Sequence, residues 1–175
     1  LHPAIIELKN KYPADSDEIV DIDVTYITSR GNWYYQSWKG DLSKSGGIAT
    51  NIGIHFFDML SWVFGPQKLS IVHLNEPDCA SGLLVLKNAR VRWFLSINQE
   101  HLPEQQKANG QRTFRSIRID GSEIEFSEGF TDLHTESYRH ILSGDGFGIQ
   151  DARSSIEMVH HIRNASVSPM REDYH

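Results

Sequence analysis

The chain has 175 residues, 39% of them hydrophobic, which is enough for one domain with a real core and short for two. A formal net charge of -6 and an isoelectric point near 5.8 leave Lys and Arg outnumbered and dispersed, which argues against nucleic acid as a partner. Cys79 is alone, so no disulfide framework forms, and no apolar run approaches the roughly 18 residues that span a bilayer; the expectation is a cytoplasmic protein without a membrane partner.

In chain order, HPAIIELKNKY (2–12) sets Pro3 at a tolerated first-turn position ahead of Ile5, Ile6 and Leu8, and predicts a short helix. EIVDIDVTYIT (18–28) alternates polar and apolar residues at period two and predicts a half-buried strand. SRGNWYYQSWKGDLSKSGG mixes aromatics with Gly, Ser and charge and reads as a long functional loop. Residues 50–64 carry Ile52, Phe56, Met59, Leu60 and Val63 at helical spacing, with Gly65-Pro66 as a stop.

Segments 68–74, 80–87, 89–98, 112–120 and 122–127 are rich in strand formers, with hairpin corners expected at Lys87-Asn88 and Asp120-Gly121. HLPEQQKANGQ (101–111) reads as polar and irregular. Residues 134–144 and 151–165 read as helices, with Gly144 stopping the first. Helices and strands are segregated rather than alternating. The expected fold is α+β: a single domain over residues 1–175 with an open, mostly antiparallel meander of strands and helices on one face.

KSGGIATNIGIHFFDML (44–60) carries the most informative side chains. On a helix, Asn51, His55 and Asp58 fall at i, i+4 and i+7 and share a face. Gly46-Gly47 would let the backbone approach a flat ligand, and imidazole is the side-chain type that exchanges protons near neutral pH. Spacing by itself favours a satisfied polar patch under a loop. In the preceding loop, Arg30 suits a two-pronged grip on a carboxylate, Trp33, Tyr34 and Trp38 suit stacking on a sugar or base, and Lys39 suits a phosphate; solvated charges and a covered sheet edge are the alternative. His160-His161 point about 100° apart on a helix and do not chelate together, so no metal is expected. GDGFG (144–148) lacks both the spacing and the preceding strand of a dinucleotide fingerprint.

The run GGIATNIGIHFFDML resembles the signature of the glucose-fructose oxidoreductase and inositol dehydrogenase family, carried here by Gly46, Gly47, Asn51, Gly53, His55 and Asp58. With RGNWYYQSWKGDLSKS, EGFTDLHTESY and DARSSIEMVHHIRNA, the resemblance narrows to the UDP-N-acetylglucosaminuronate 3-dehydrogenases of bacterial surface-polysaccharide (lipopolysaccharide O-antigen) biosynthesis. It implies a two-domain NAD-dependent enzyme in which this chain is the C-terminal, substrate-shaping and oligomerising domain, pairing through its open sheet face. The Rossmann domain that holds NAD would lie outside residues 1–175, with only Gly46 and Gly47 approaching the cofactor from this side. It further implies that His55 and Asn51 are catalytic, and that Arg30, Trp33, Tyr34, Trp38, Lys39 and Asp58 meet a nucleotide sugar. A free sugar or inositol as substrate, and a non-catalytic assembly module, are the competing expectations.

Overall fold

The computed structural model describes residues 2–13, 16, 18–124 and 132–170. Helix α1 (Pro3–Lys11) buries Ile5 and Leu8, and strand β1 (Val20–Thr28) follows. The segment that reads as irregular loop holds two short helices, α2 (Trp33–Gln36) and α3 (Leu42–Ser45). A π-helical turn (Ala49–Gly53) runs directly into α4 (Ile54–Phe64). Then come β2 (Gln67–Asn75), β3 (Cys79–Leu86), β4 (Ala89–Ser96), a 3-10 turn (Gln99–His101), α5 (Glu104–Ala108), β5 (Thr113–Ile119) and β6 (Ser122–Glu123). Helices α6 (Leu133–Ser143) and α7 (Ile149–Asn164) complete the elements. Residues 125–131, which include the end of the strand expected over 122–127 and the EGFT of EGFTDLHTESY, lie outside the described residues.

The six strands form one sheet in the order β2-β3-β4-β1-β5-β6. Both expected hairpins form: Lys87-Asn88 joins β3 to β4, and Asp120-Gly121, both at positive φ, joins β5 to β6. The sheet is not a simple meander. β1 is inserted between β4 and β5, parallel to β4 and antiparallel to β5. Charge complementarity accompanies this pairing: Asp21 lies opposite Arg90 and Asp23 opposite Arg92, with bonds of 2.9 and 2.6 Å.

The helices cover one face. Val20, Ile22 and Val24 of β1, Leu84 and Leu86 of β3, and Val91, Trp93 and Leu95 of β4 point into a core shared with α1, α4 and α7. Phe57, Leu60 and Phe64 of α4 are almost fully buried there, each side chain contributing about 1.5–3 kcal/mol by leaving water. Two glycines permit the close packing. A Cβ on Gly53 would sit 2.7 Å from Leu95 and 2.8 Å from Phe57, so this residue lets the start of α4 lie directly on β4. A Cβ on Gly82 would meet the Ile71 carbonyl at 2.2 Å and the Trp93 ring at 2.7 Å. The opposite face carries the Asp–Arg pairs, with Val85 and Phe94 half-buried beside them. After α7 the chain turns along the outer edge of β2, where Val167 bridges Val72 in parallel and the Ser168 N–H donates to the Val72 carbonyl at 2.8 Å.

Candidate functional site

The site lies where β1 ends. The Ser29 N–H donates to the Arg112 carbonyl (2.8 Å) and the Arg30 N–H to the Ile97 carbonyl (3.0 Å), which pins the exit of β1 to the loops that follow β4 and precede β5. From there the chain forms α2, turns through Ser37 and reaches α3. The Ser37 hydroxyl donates to the Tyr34 carbonyl (2.8 Å) and accepts from the Lys39 N–H (3.3 Å), a side-chain turn that fixes where the Lys39 backbone sits. Ser37 was not among the residues singled out from sequence; a Ser between aromatics in a turn-rich segment was the available signal.

Asp41 begins α3 by accepting from the Ser43 N–H (3.0 Å). The Ser43 hydroxyl bond, then the Lys44 ammonium, hold its carboxyl down at about 2. Gly46 and Gly47, at φ 75° and 80°, then turn the chain into the π-helical segment. Beside Gly46 the space is taken by Thr50, 2.7 Å from where a Cβ would stand, and beside Gly47 by Leu42 at 2.8 Å. The Thr50 hydroxyl also donates to the Gly46 carbonyl at 2.9 Å. On those sides the close approach is made by the chain itself.

Asn51 sits in the middle of the π turn, half-buried, and is drawn toward the loop: its amide nitrogen donates to the Tyr34 hydroxyl (3.2 Å) and to the Lys39 carbonyl (3.4 Å). His55 and Asp58, on α4, face solvent, and among the described residues neither side chain has a hydrogen-bond or ion-pair partner. A single fully satisfied polar patch is therefore not what forms: Asn51 is held by the loop while His55 and Asp58 stand open. π turns of this kind recur at functional sites because the extra residue re-aims side chains.

The loop residues divide sharply. Trp33 is 52% exposed and Trp38 57%, and Lys39 Nζ lies 5.9 Å from the Trp38 ring. Arg30 is exposed. Tyr34, expected to stack on substrate, is instead only 3% exposed, packed edge-on against Trp33 and Tyr35 at 6.0 and 5.7 Å. Its ring has no open face; only its hydroxyl reaches the site. Burial raises the Tyr34 pKa, opposed by the Asn51 hydrogen bond and the Arg30 charge, so the phenol is protonated at neutral pH.

Other clusters carry no chemistry of this kind. Ser96 Oγ lies 2.8 Å from His101 Nδ1, but Ser96 is fully buried and also donates to the Asp78 carbonyl (3.2 Å), so it presents no nucleophile. The rings of His160 and His161 are 6.2 Å apart, and no group of three metal-ligating side chains occurs among the described residues. A cavity of about 190 Å³ on the open sheet face, lined by His73, Ser81, Arg92, Phe94 and Met170 among others, contains none of the expected site residues.

Known proteins share this arrangement of elements. The family model described as oxidoreductase family, C-terminal alpha/beta domain, matches residues 17–154, most of the chain. The Thermus thermophilus WlbA (WbpB) dehydrogenase, solved with NAD and alpha-ketoglutarate, is 48% identical, with a TM-score of 0.92 over 99% of this chain and 56% of its own. The same dehydrogenase solved with NAD and UDP-GlcNAcA gives 47% identity and a TM-score of 0.90 over 98% of this chain and 55% of its own. The Bordetella pertussis WlbA dehydrogenase shares the fold at 17% identity and a TM-score of 0.63, over 91% of this chain and 58% of its own. The chain thus spans little more than half the length of these relatives. On the match over residues 17–154 and the near-half identity to a solved dehydrogenase, the chain belongs to this oxidoreductase family, as its C-terminal alpha/beta domain.

Proposed function

We propose that this chain is the substrate-shaping domain of an NAD-dependent dehydrogenase that oxidises the C3 hydroxyl of UDP-GlcNAcA. The observation that carries the reading is the 47% identity, across 98% of the chain, to a dehydrogenase solved with NAD and UDP-GlcNAcA. Locally it is supported by an open His55 and Asp58 on the helix that follows Asn51, and by the loop bonded to Asn51, with exposed Trp33, Trp38 and Arg30 and a half-buried Lys39, a set that suits a sugar carrying a carboxylate and a diphosphate.

NAD, held by a Rossmann domain outside these residues, supplies the acceptor for the hydride. The residues of this chain do the rest. His55 takes the hydroxyl proton or passes it on to a second base, and Asn51 holds the reacting hydroxyl or its neighbour in line. Asp58, one turn beyond His55, accepts from another sugar hydroxyl. Arg30 grips the carboxylate, Lys39 meets the phosphates, and the open faces of Trp33 and Trp38 stack on the uracil or the pyranose. Tyr34 contributes through its hydroxyl.

Self-association through the uncovered sheet face, to at least a dimer, goes with this reading, since Leu69, Val85 and Phe94 are incompletely covered there. A lone buried Cys79 and a soluble nucleotide-sugar substrate support a cytoplasmic enzyme of surface-polysaccharide synthesis. Among the described residues no helix is long and apolar enough to cross a membrane.

The test is NADH formation by the full-length protein. UDP-GlcNAcA should be turned over and free sugars or inositol should not. His55→Ala should lower kcat by about 100-fold or more, the range for a lost general base, with the melting temperature unchanged. Full turnover in that variant removes His55 from the chemistry, and preference for a free sugar removes the nucleotide-sugar assignment.

A further inference from the structure

We infer that Tyr34 is a positioning residue that locks the Asn51 amide so that only its carbonyl oxygen faces the ligand, making Asn51 an obligate hydrogen-bond acceptor for a donor group such as a sugar hydroxyl. The inference deepens the proposed function and rests on it for the identity of the ligand, though the lock itself does not.

The argument starts from the Lys39 carbonyl. A peptide oxygen only accepts, so the end of the Asn51 amide that faces it at 3.4 Å must be the NH2. The second hydrogen of that NH2 goes to the Tyr34 oxygen at 3.2 Å. Both donors of Asn51 are thereby used inside the protein, and reversing the amide would set its oxygen against the Lys39 oxygen. Oδ1 is the end left over, and among the described residues nothing donates to it.

The lock is rigid because its parts are. Tyr34 is buried between Trp33 and Tyr35, and the Ser37 hydroxyl ties the Tyr34 carbonyl to the Lys39 N–H, fixing both acceptors relative to each other. A ligand at this place is offered an acceptor by Asn51, which suits the O–H of a sugar hydroxyl. A carboxylate or phosphate oxygen would be repelled by Oδ1.

The experiment uses the full-length protein and compares Tyr34→Phe, Asn51→Asp and Asn51→Leu, singly and with Tyr34→Phe combined with Asn51→Leu. Tyr34→Phe should lower kcat/KM by about 5- to 10-fold, the scale of one hydrogen bond, with the melting temperature little changed because the ring stays. Asn51→Asp keeps an acceptor oxygen in either orientation and should retain more activity than Asn51→Leu. In the Asn51→Leu background, loss of the Tyr34 hydroxyl should cost less than about twofold, because no amide remains to be oriented. Unchanged kcat/KM in Tyr34→Phe, equal loss in both Asn51 single variants, or losses that simply multiply in the double variant would each overturn the lock.

A readout without turnover separates this from the proposed function. The Asn51 side-chain NH2 should give two resolved, slowly exchanging proton signals in the unliganded protein and lose that protection in Tyr34→Phe. Protection lost on substitution in a protein that does not oxidise UDP-GlcNAcA leaves the lock standing and overturns only the substrate; rapid exchange in the unsubstituted protein overturns the lock.

Discussion

Helices α4 and α6 are both 11 residues long, yet they stand in opposite relations to the rest of the fold. α4 buries Phe56, Phe57, Leu60, Val63 and Phe64 between the sheet, α1 and α7. α6 buries none of its residues and shows Tyr138, Ile141 and Leu142 to solvent, with Phe147 and Ile149 exposed just beyond it. Isolated helices of this length are marginal in water, so an apolar face is what normally holds one in place. α4 has that cover within the chain, which is why it can carry a functional face on its other side. Among the described residues the supports of α6 are local, the Arg139–Glu136 pair and a left-handed Gly144 among them. On the two-domain organisation proposed above, the cover for α6 comes from the rest of the protein.

Three substitutions probe that contrast. Phe57→Ala should have the largest effect, about 3–5 kcal/mol in urea unfolding, because it empties a site packed edge-on against Trp93 at 5.4 Å. Retention of a normal midpoint would mean that α4 is not the anchor of the core. Gly53→Ala should cost about 1–3 kcal/mol by pushing the start of α4 off Leu95 and Phe57, and its crystal structure should show the π turn displaced. Leu142→Asp, at a residue 88% exposed, should change the stability of this chain by less than about 0.5 kcal/mol. The same change in the full-length protein should cost about 2 kcal/mol if the face is covered there, and an equally small effect in both would show that α6 is simply solvated.

The same contrast explains what could be read before the structure. α4 was legible because its apolar spacing and the Gly65 stop agree with its packing. β1 was legible from alternation, β3 and β4 from their strand-forming residues, and the two hairpins from their corner residues. The insertion of β1 beside β4 was missed because pairing partners distant in sequence leave no local period. A signal was present nonetheless: Asp21-Ile22-Asp23 and Arg90-Val91-Arg92 are complementary at the same spacing, and the structure pairs them residue for residue.

At the candidate site, helical spacing put Asn51, His55 and Asp58 on one segment, but the π turn was not foreseen, since the packing of Gly53 on Leu95 leaves no local period. Tyr34 was expected to stack through its ring, which the structure buries. Aromatic residues in a loop look alike in sequence, and only burial distinguishes one that supports from those that stay open.

The two residues with which the chain runs along the outer side of β2, Val167 and Ser168, bear on the handling of the protein as well as on its shape. β2 is a rim strand whose unpaired amides could recruit a strand from another molecule, and the bridge to Val72 occupies part of that rim. Chain shortened to Asn164 should therefore keep its core but clump on concentration, so that a loss of solubility, rather than of folding, marks the removal of this short clasp.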